Sequence, residues 1–260
     1  MTKLLFSSSL TAVSIYIGTI AFLPSAIGAD LPVALQQPEP ELPYEETFSD
    51  FPWDRYYVGL AAGYGESSME TSDTFAPVSF FDNSFDMSGG LVGVTVGRNF
   101  QMYDNWVFGI EFDAALADID GGKNGTSGEY IEAELNGILT ARARLGYAFG
   151  DEKQFLPFVT AGLAAGHYEV GSFGGVSADP DDLVGNVVEE SDWLGGYTLG
   201  AGLEYLVSHG VSIKADYLFM RFEGSITTDP IIPQGTVFLW PTEYDPEDVH
   251  VWRLGVNVAY

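Results

Sequence analysis

Eight charged residues in this 260-residue chain stand where a charge is costly, inside segments that otherwise alternate apolar and small residues. They are Glu111 and Asp113, Arg142 and Arg144, Glu204, Lys214 and Asp216, and Arg253. Each close pair is spaced by two, which puts both members on one face of a strand. Two chemistries fit such a set. Carboxylates whose environments push their pKa values apart act as acid and base. Alternatively, four acids and four bases form a neutral set of buried ion pairs. A narrow interior requires that balance, because a buried charge without a partner is strongly destabilising. Opposite charges on adjacent strands suffice to explain the set, so it is read as an ion-pair network and no catalytic residue is assigned.

Other chemistry is thinly represented. The chain has no cysteine, which removes disulfides, thiolate metal sites and cysteine nucleophiles. His167, His209 and His250 fall on three different connections or strand ends, a poor arrangement for haem or a metal. Asp118, Asp120 and Asn124 suggest a hard-cation loop, but the twelve-residue calcium pattern is not met. Phosphate loops and nucleophile elbows are absent, and no cofactor is assigned. Ten basic residues against 37 acidic ones give a net charge of -27, which argues against nucleic acid as a partner.

The elements that must position the eight charges follow from periodicity. Eight segments alternate with period two: 56–64, 92–97, 106–116, 135–149, 159–166, 197–205, 211–219 and 252–260. Trp106, Phe108, Ile110 and Phe112 share one face while Glu111 and Asp113 share the other. The fourth segment sets Leu135 with Leu139 and Ala141 on its apolar row, and Asn136 with Arg142 and Arg144 on its polar row. Most of the segments, at about 9–13 residues, are near the length that crosses a membrane at a tilt. Short connections near 101–105, 150–154 and 207–210 alternate with long ones near 65–87, 117–133, 169–193 and 222–248. The pattern predicts an all-β fold, an eight-stranded antiparallel up-and-down barrel.

A soluble barrel and a membrane barrel differ in which row faces inward. Bulky aromatics repeated over eight strands would crowd so narrow a lumen. Turned toward water, each large apolar residue would forgo about 1.5–3 kcal/mol of burial. Turned toward lipid, it loses nothing, so the apolar rows are expected outside and the charged rows inside. The aromatics also sort by height. Tyr56, Phe100, Tyr103, Trp106, Tyr147, Phe149, Phe155, Tyr205 and Tyr260 gather at the short-turn end, and Tyr64, Tyr168, Tyr197, Phe219 and Trp252 toward the other. Two belts match two membrane–water interfaces.

Composition agrees: 46% of residues are hydrophobic, 18% are charged against roughly 25% in ordinary soluble domains, and 31 are glycine. Lys3, an apolar run from Leu10 to Leu23 and the small residues Ala26 to Ala29 have the order of a secretory signal, with cleavage expected after Ala29. Residues 30–52 are acidic and proline-punctuated, an extended linker. The barrel is expected over 53–260. The long connections concentrate acids, with Lys123 as their one Lys or Arg. They also hold Phe75, Phe80, Phe81, Phe85, Ile231, Ile232, Val237, Phe238, Leu239 and Trp240, read as exposed apolar residues available to a partner or to one another.

Several strings are familiar together. Ala-Asp-Leu-Pro at 29–32 precedes Tyr-Tyr-Val-Gly-Leu-Ala-Ala-Gly-Tyr at 56–64. Phe-Gly-Ile-Glu-Phe-Asp at 108–113, Thr-Ala-Arg-Ala-Arg-Leu-Gly-Tyr-Ala-Phe at 140–149 and Thr-Leu-Gly-Ala-Gly-Leu-Glu-Tyr at 198–205 follow. Over 56–260 the chain resembles the small outer-membrane β-barrel family related to the membrane domain of OmpA, especially its alpha-proteobacterial surface-antigen branch. The resemblance implies bacterial outer-membrane localisation, with both termini periplasmic and the long loops extracellular. It also implies that Trp252, Leu254, Val256, Val258 and Tyr260 form a C-terminal insertion signal for the outer-membrane assembly machinery, Tyr260 departing mildly from the family's usual Phe. The sequence stops at the last strand, so no wall-anchoring domain is expected. The expected role is structural and non-enzymatic: envelope integrity, with acidic loops facing lipid and lipopolysaccharide, a contact that divalent cations can bridge. The alternatives are an adhesin, a haem- or ligand-binding surface protein, or a small diffusion channel. The sequence names no host or ligand partner.

Overall fold

A computed structural model describes residues 52–73, 83–102, 105–124, 130–173, 187–228 and 242–260. The signal segment, the linker as far as residue 51, Tyr103, Phe75, Phe80, Phe81 and the apolar residues of 231–240 lie outside the described residues.

The strands are β1 (Tyr56–Asp73), β2 (Asn83–Gln101), β3 (Trp106–Asn124), β4 (Tyr130–Tyr147) and β5 (Phe155–Phe173). They continue as β6 (Val187–Ser208), β7 (Val211–Glu223), β8 (Ile226–Thr228), β9 (Thr242–Pro246) and β10 (Val249–Ala259). Each of β1 to β6 pairs antiparallel with the next, β7 pairs with β10, and β10 closes the ring on β1, from Tyr57↔Ala259 to Glu66↔His250. Beyond this ring, β9 pairs with β1 and β8 with β9. Gly224 separates β7 from β8 at a φ of 110°, a conformation only glycine adopts readily. The ring is therefore eight strands around, and the closed sheet has no edge along its paired length.

Both ends of the ring, Tyr56 and Tyr260, lie at the short-turn end. Around the middle of the wall the apolar rows face outward: Leu60 is 70% exposed and Leu116 is 74% exposed, figures that suit acyl chains and not water. On the same strands Glu111, Asp113, Arg142 and Arg144 are buried inside. Close packing here needs glycine in places. A Cβ at Gly97 would fall 2.4 Å from the Tyr57 ring, and one at Gly202 would fall 2.5 Å from Phe158.

The strands are longer than the 9–13 residues expected. β1 to β6 run 18 to 22 residues, and most of what alternation assigned to long loops is strand. Those upper halves form a crown in which the hydrophobic pattern inverts. Inside lie Met87, Ile119, Leu135, Tyr168, Met220 and Val251, all fully buried, in one apolar cluster. Outside lie acids such as Asp118, Asp120 and Glu169. A lipid-facing outer row admits no acids, so alternation alone scores these residues as loop and does not reveal the crown.

Three assignments change as a consequence. Phe85 is buried within the crown, not exposed. Tyr168 belongs to the crown interior, not to an aromatic belt. Leu135 points inward, because a β-bulge at Asn136 shifts the phase: Leu135 pairs with Tyr168 and Gly137 with His167, leaving Asn136 between them without a ladder partner.

Candidate functional site: the filled lumen and the acidic crown

The lumen is occupied at three levels. At the short-turn end, Trp53 folds under the barrel and packs with Val107, Ala148, Leu156 and Leu206. Its indole Nε1–H donates to Lys153 O at 2.7 Å, and its backbone N–H donates to Gln101 Oε1 at 3.1 Å. At the top sits the apolar core of the crown. Between them lie the eight charges.

Strand register sets the starting geometry. Glu111 is directly opposite Arg142, Glu204 opposite Lys214 and Asp216 opposite Arg253. The side chains then reach across the lumen as well as along the wall. Arg142 Nη2 donates to Glu111 Oε2 at 2.8 Å and to Asp113 Oδ2 at 2.7 Å. Arg144 bridges Glu111 at 3.3 Å and Glu204 at 2.6 Å. Lys214 leaves its register neighbour Glu204 and donates to Glu111 at 3.2 Å. Arg253 grips Asp216 at 2.6 Å and Asp113 at 3.1 Å. Glu111 thus collects three cations and Asp113 two. All eight charged residues are brought together in a single connected set.

Neutral groups complete it, and these the sequence reading did not single out. Tyr57 OH donates to Glu111 at 2.7 Å. Thr95 and Thr140 hydroxyls donate to Asp113 at 2.7 and 2.9 Å. Asn257 Nδ2 donates to Glu204 at 2.7 Å, and Ser212 donates to the same carboxylate. The Arg144 guanidinium lies 3.8 Å from the centre of the Phe158 ring, a cation–π contact. Each of these residues stands on the inward parity of its strand, which is the signal that would have found them. The carboxylates are saturated by donors, so the arrangement does structural work and offers no poised acid–base pair.

The crown's outer face has the opposite character. Asp120, Glu134 and Glu169 stand directly opposite one another on β3, β4 and β5, with Asp118, Glu132 and Glu189 beside them. Burial, then the carboxylates of Glu189, Asp120 and Glu169, hold the Glu132 carboxyl above its ordinary 4.5. Burial, then Asp118, Glu169, Asp120 and Glu132, raise Glu134 likewise. Among the described residues, no three His, Asp or Glu side chains are grouped to hold a metal ion. His167 and His250 sit apart on the outer wall, His167 Nδ1 2.6 Å from Asn136 Oδ1 and His250 Nδ1 2.7 Å from Tyr217 OH.

Two predictions follow from this geometry. Arg142→Ala leaves two buried carboxylates short of a partner and lowers unfolding stability in detergent micelles by about 3–5 kcal/mol. Adding Glu111→Ala restores only part, because Lys214 and Arg144 then lose an acceptor. A urea titration measures both, and a loss under about 1 kcal/mol, the scale of an exposed pair, would contradict the network. In the crown, a raised carboxyl favours the folded state when protonated. That contribution is complete below the unfolded value of 4.5 and is lost as pH rises through the folded values. Amide hydrogen-exchange protection of the upper halves of β3 and β4, corrected for intrinsic rates, therefore falls as pH is raised from 4.5 toward neutrality, and Glu134→Gln flattens the trend. Protection that increases with pH would refute it.

Comparison with known proteins agrees with this architecture. Residues 46–259 match the outer membrane protein beta-barrel domain family. The 31 kDa outer-membrane immunogenic protein of Brucella melitensis biotype 1 is 31% identical over 222 residues, covering 79% of this chain and 85% of the relative. The 22 kDa outer membrane protein of Rhizobium leguminosarum bv. viciae is 27% identical over 208 residues, covering 80% and 78%. Among solved structures, OprG from Pseudomonas aeruginosa aligns with a TM-score of 0.47 at 12% identity, over 79% of this chain and 96% of its own. The relatives are outer-membrane proteins and immunogenic antigens by name. A ring of eight strands, an outward apolar wall and a charged interior thus coincide with a match over nearly the whole described chain: this protein belongs to the outer-membrane β-barrel family, alongside its alpha-proteobacterial surface antigens.

Proposed function

We propose that the protein is a structural component of the bacterial outer membrane that stiffens the envelope and displays an acidic surface, and that it conducts no solute. The observation that carries this reading is the lumen, filled by Trp53 and its neighbours, then by the ionic network, then by the crown core. Opening a path would require breaking many buried charged contacts at once, each costly. In this reading the short turns and both termini face the periplasm, and the crown stands outside the cell. The short-turn end carries Trp106, Tyr147, Phe149, Tyr205 and Tyr260 as its interfacial belt. Trp252, Leu254, Val256 and Val258 form the outward row of β10, and with Tyr260, the residue after the strand, they serve as the insertion signal for the assembly machinery. The crown carboxylates meet anionic lipopolysaccharide through divalent cations, held as diffuse counter-ions and not in a coordination cage.

The names of the immunogenic Brucella relatives favour surface display of the crown. Planar-bilayer recording tests the proposal. Purified protein inserted at high salt is expected to give a silent membrane, and steady unitary currents would overturn the sealed-lumen reading in favour of a diffusion channel.

A further inference from the structure

The outer wall is not uniform around its circumference. On β6, β7, β10 and β1 the upper edge of the apolar band is a shelf of rings. Tyr197 is 6.3 Å from Phe219, and Tyr217 is 5.6 Å from Trp252; Tyr64 stands opposite Trp252. On β2 to β5 that shelf is missing. The outward positions there are small or aliphatic, among them Val92, Ala114, Gly137 and Leu139. The inward positions are small as well: Gly255, Ala61, Gly93 and Ala115 stand directly opposite one another on four adjacent strands. Small residues on both sides of the sheet leave an apolar depression of about 1190 Å³ in the outer wall, which runs from Ile213 on β7 and Leu254 and Val256 on β10 across Leu60 on β1 to β2, β3 and β4, and ends against His167 and Trp193. A second hollow of about 490 Å³, lined by Phe112, Ala141 and Leu163, lies beside it on β2 to β5 and shares Val94, Ala114 and Leu139 with it.

The depression ends upward at a polar ledge made by the bulge of β4. His167 Nδ1 lies 2.6 Å from Asn136 Oδ1; a carbonyl oxygen only accepts, so the contact is served by the Nδ1–H tautomer, in which Nε2 is an acceptor. Asn136 Nδ2 is directed to Glu169 Oε2 at 3.4 Å. The Trp193 ring stands 5.0 Å from His167, half exposed, and closes over Gly137, where its Cη2 lies 3.5 Å from the position a Cβ would take. Above the ledge begins the acidic face of Glu134, Glu169 and Asp120. The ledge therefore combines three features: hydrogen-bond acceptors, negative charge and an aromatic face. Each of them attracts an N–H-bearing cation.

We propose that this depression is a specific lipid site, whose occupant is an amine-bearing lipid with its acyl chain in the hollow and its ammonium held by Glu169, His167 Nε2 and the Trp193 ring. The inference rests on the outer-membrane placement of the chain but not on the sealed lumen, and a conducting barrel would leave it intact. A symmetric second copy is disfavoured on this face, because it would press two acidic patches together. An anionic phosphate with no amine meets the Glu169 carboxylate at the ledge and the acidic face above it, which repel it.

The test uses the mature protein refolded into nanodiscs holding equal amounts of phosphatidylethanolamine and phosphatidylglycerol, followed by native mass spectrometry of the lipid that stays bound. The wild type is expected to retain the ethanolamine lipid over the glycerol lipid by about tenfold, the scale of one charge-assisted contact. Glu169→Gln, on the exposed surface, abolishes the preference while still retaining lipid. Gly137→Phe fills the top of the depression and loses the bound lipid of either kind, with folding verified by heat-modifiable gel mobility. Equal retention of the two lipids by the wild type, an unchanged preference in Glu169→Gln, or efficient cross-linking of two copies through Val92→Cys would each overturn the proposal.

Discussion

A charge enclosed in a barrel of eight strands has almost no water to turn to, so it must find its opposite within hydrogen-bond reach. That requirement organises this protein. Glu111 sits at the centre with three cations and a tyrosine hydroxyl around it, and Asp113 sits above with two cations and two threonines. The contacts join β3 and β4 to β6, β7 and β10, strands that lie across the lumen from each other. Backbone pairing alone links each strand only to its neighbours. The ionic set adds links across the diameter, and it fixes register, because a slip of one residue would turn every charge into the lipid.

The second organising fact is that the same strands serve two solvents. In the lower half they keep polar groups in and apolar groups out. Above the level of Leu116 and Leu139 the apolar row moves inside, and the barrel continues as a water-facing structure with an ordinary hydrophobic core. The bulge at Asn136 helps make that change by placing Leu135 inward beside Ile138. Tyr244 on β9 donates its hydroxyl to Gly171 O on β5 at 3.1 Å, tying opposite sides of the crown. The acidic exterior is then the solvated face of a folded element, and its crowded carboxylates make it sensitive to protons and cations.

Much of this was legible in the sequence, for a definite reason. Alternation gives strand and face at once, and charge balance among Glu111, Asp113, Arg142, Arg144, Glu204, Lys214, Asp216 and Arg253 marks the inward row. Exact partners were not legible. Lys214 faces Glu204 in register yet bonds Glu111, because side-chain reach across a lumen depends on tilt and on which carboxylates are already taken. The crown was not legible either, since acids at Asp118 and Asp120 mimic loop composition when only a lipid-facing outer row is expected. Tyr168 and Phe85 were misplaced by the same assumption, and Leu135 by a bulge that no periodicity announces.

One continuous wall faces lipid below and water above while its inner row stays shielded throughout. Single spin labels placed in turn from Phe108 to Asp120 on β3, sparing Glu111 and Asp113, test it through accessibility to oxygen and to a water-soluble nickel complex. Oxygen maxima are expected at Phe108, Ile110, Phe112, Ala114 and Leu116, nickel maxima at Asp118 and Asp120, and low accessibility to both at Ala117 and Ile119. Oxygen maxima on the opposite parity, or loss of alternation above Leu116, would contradict it.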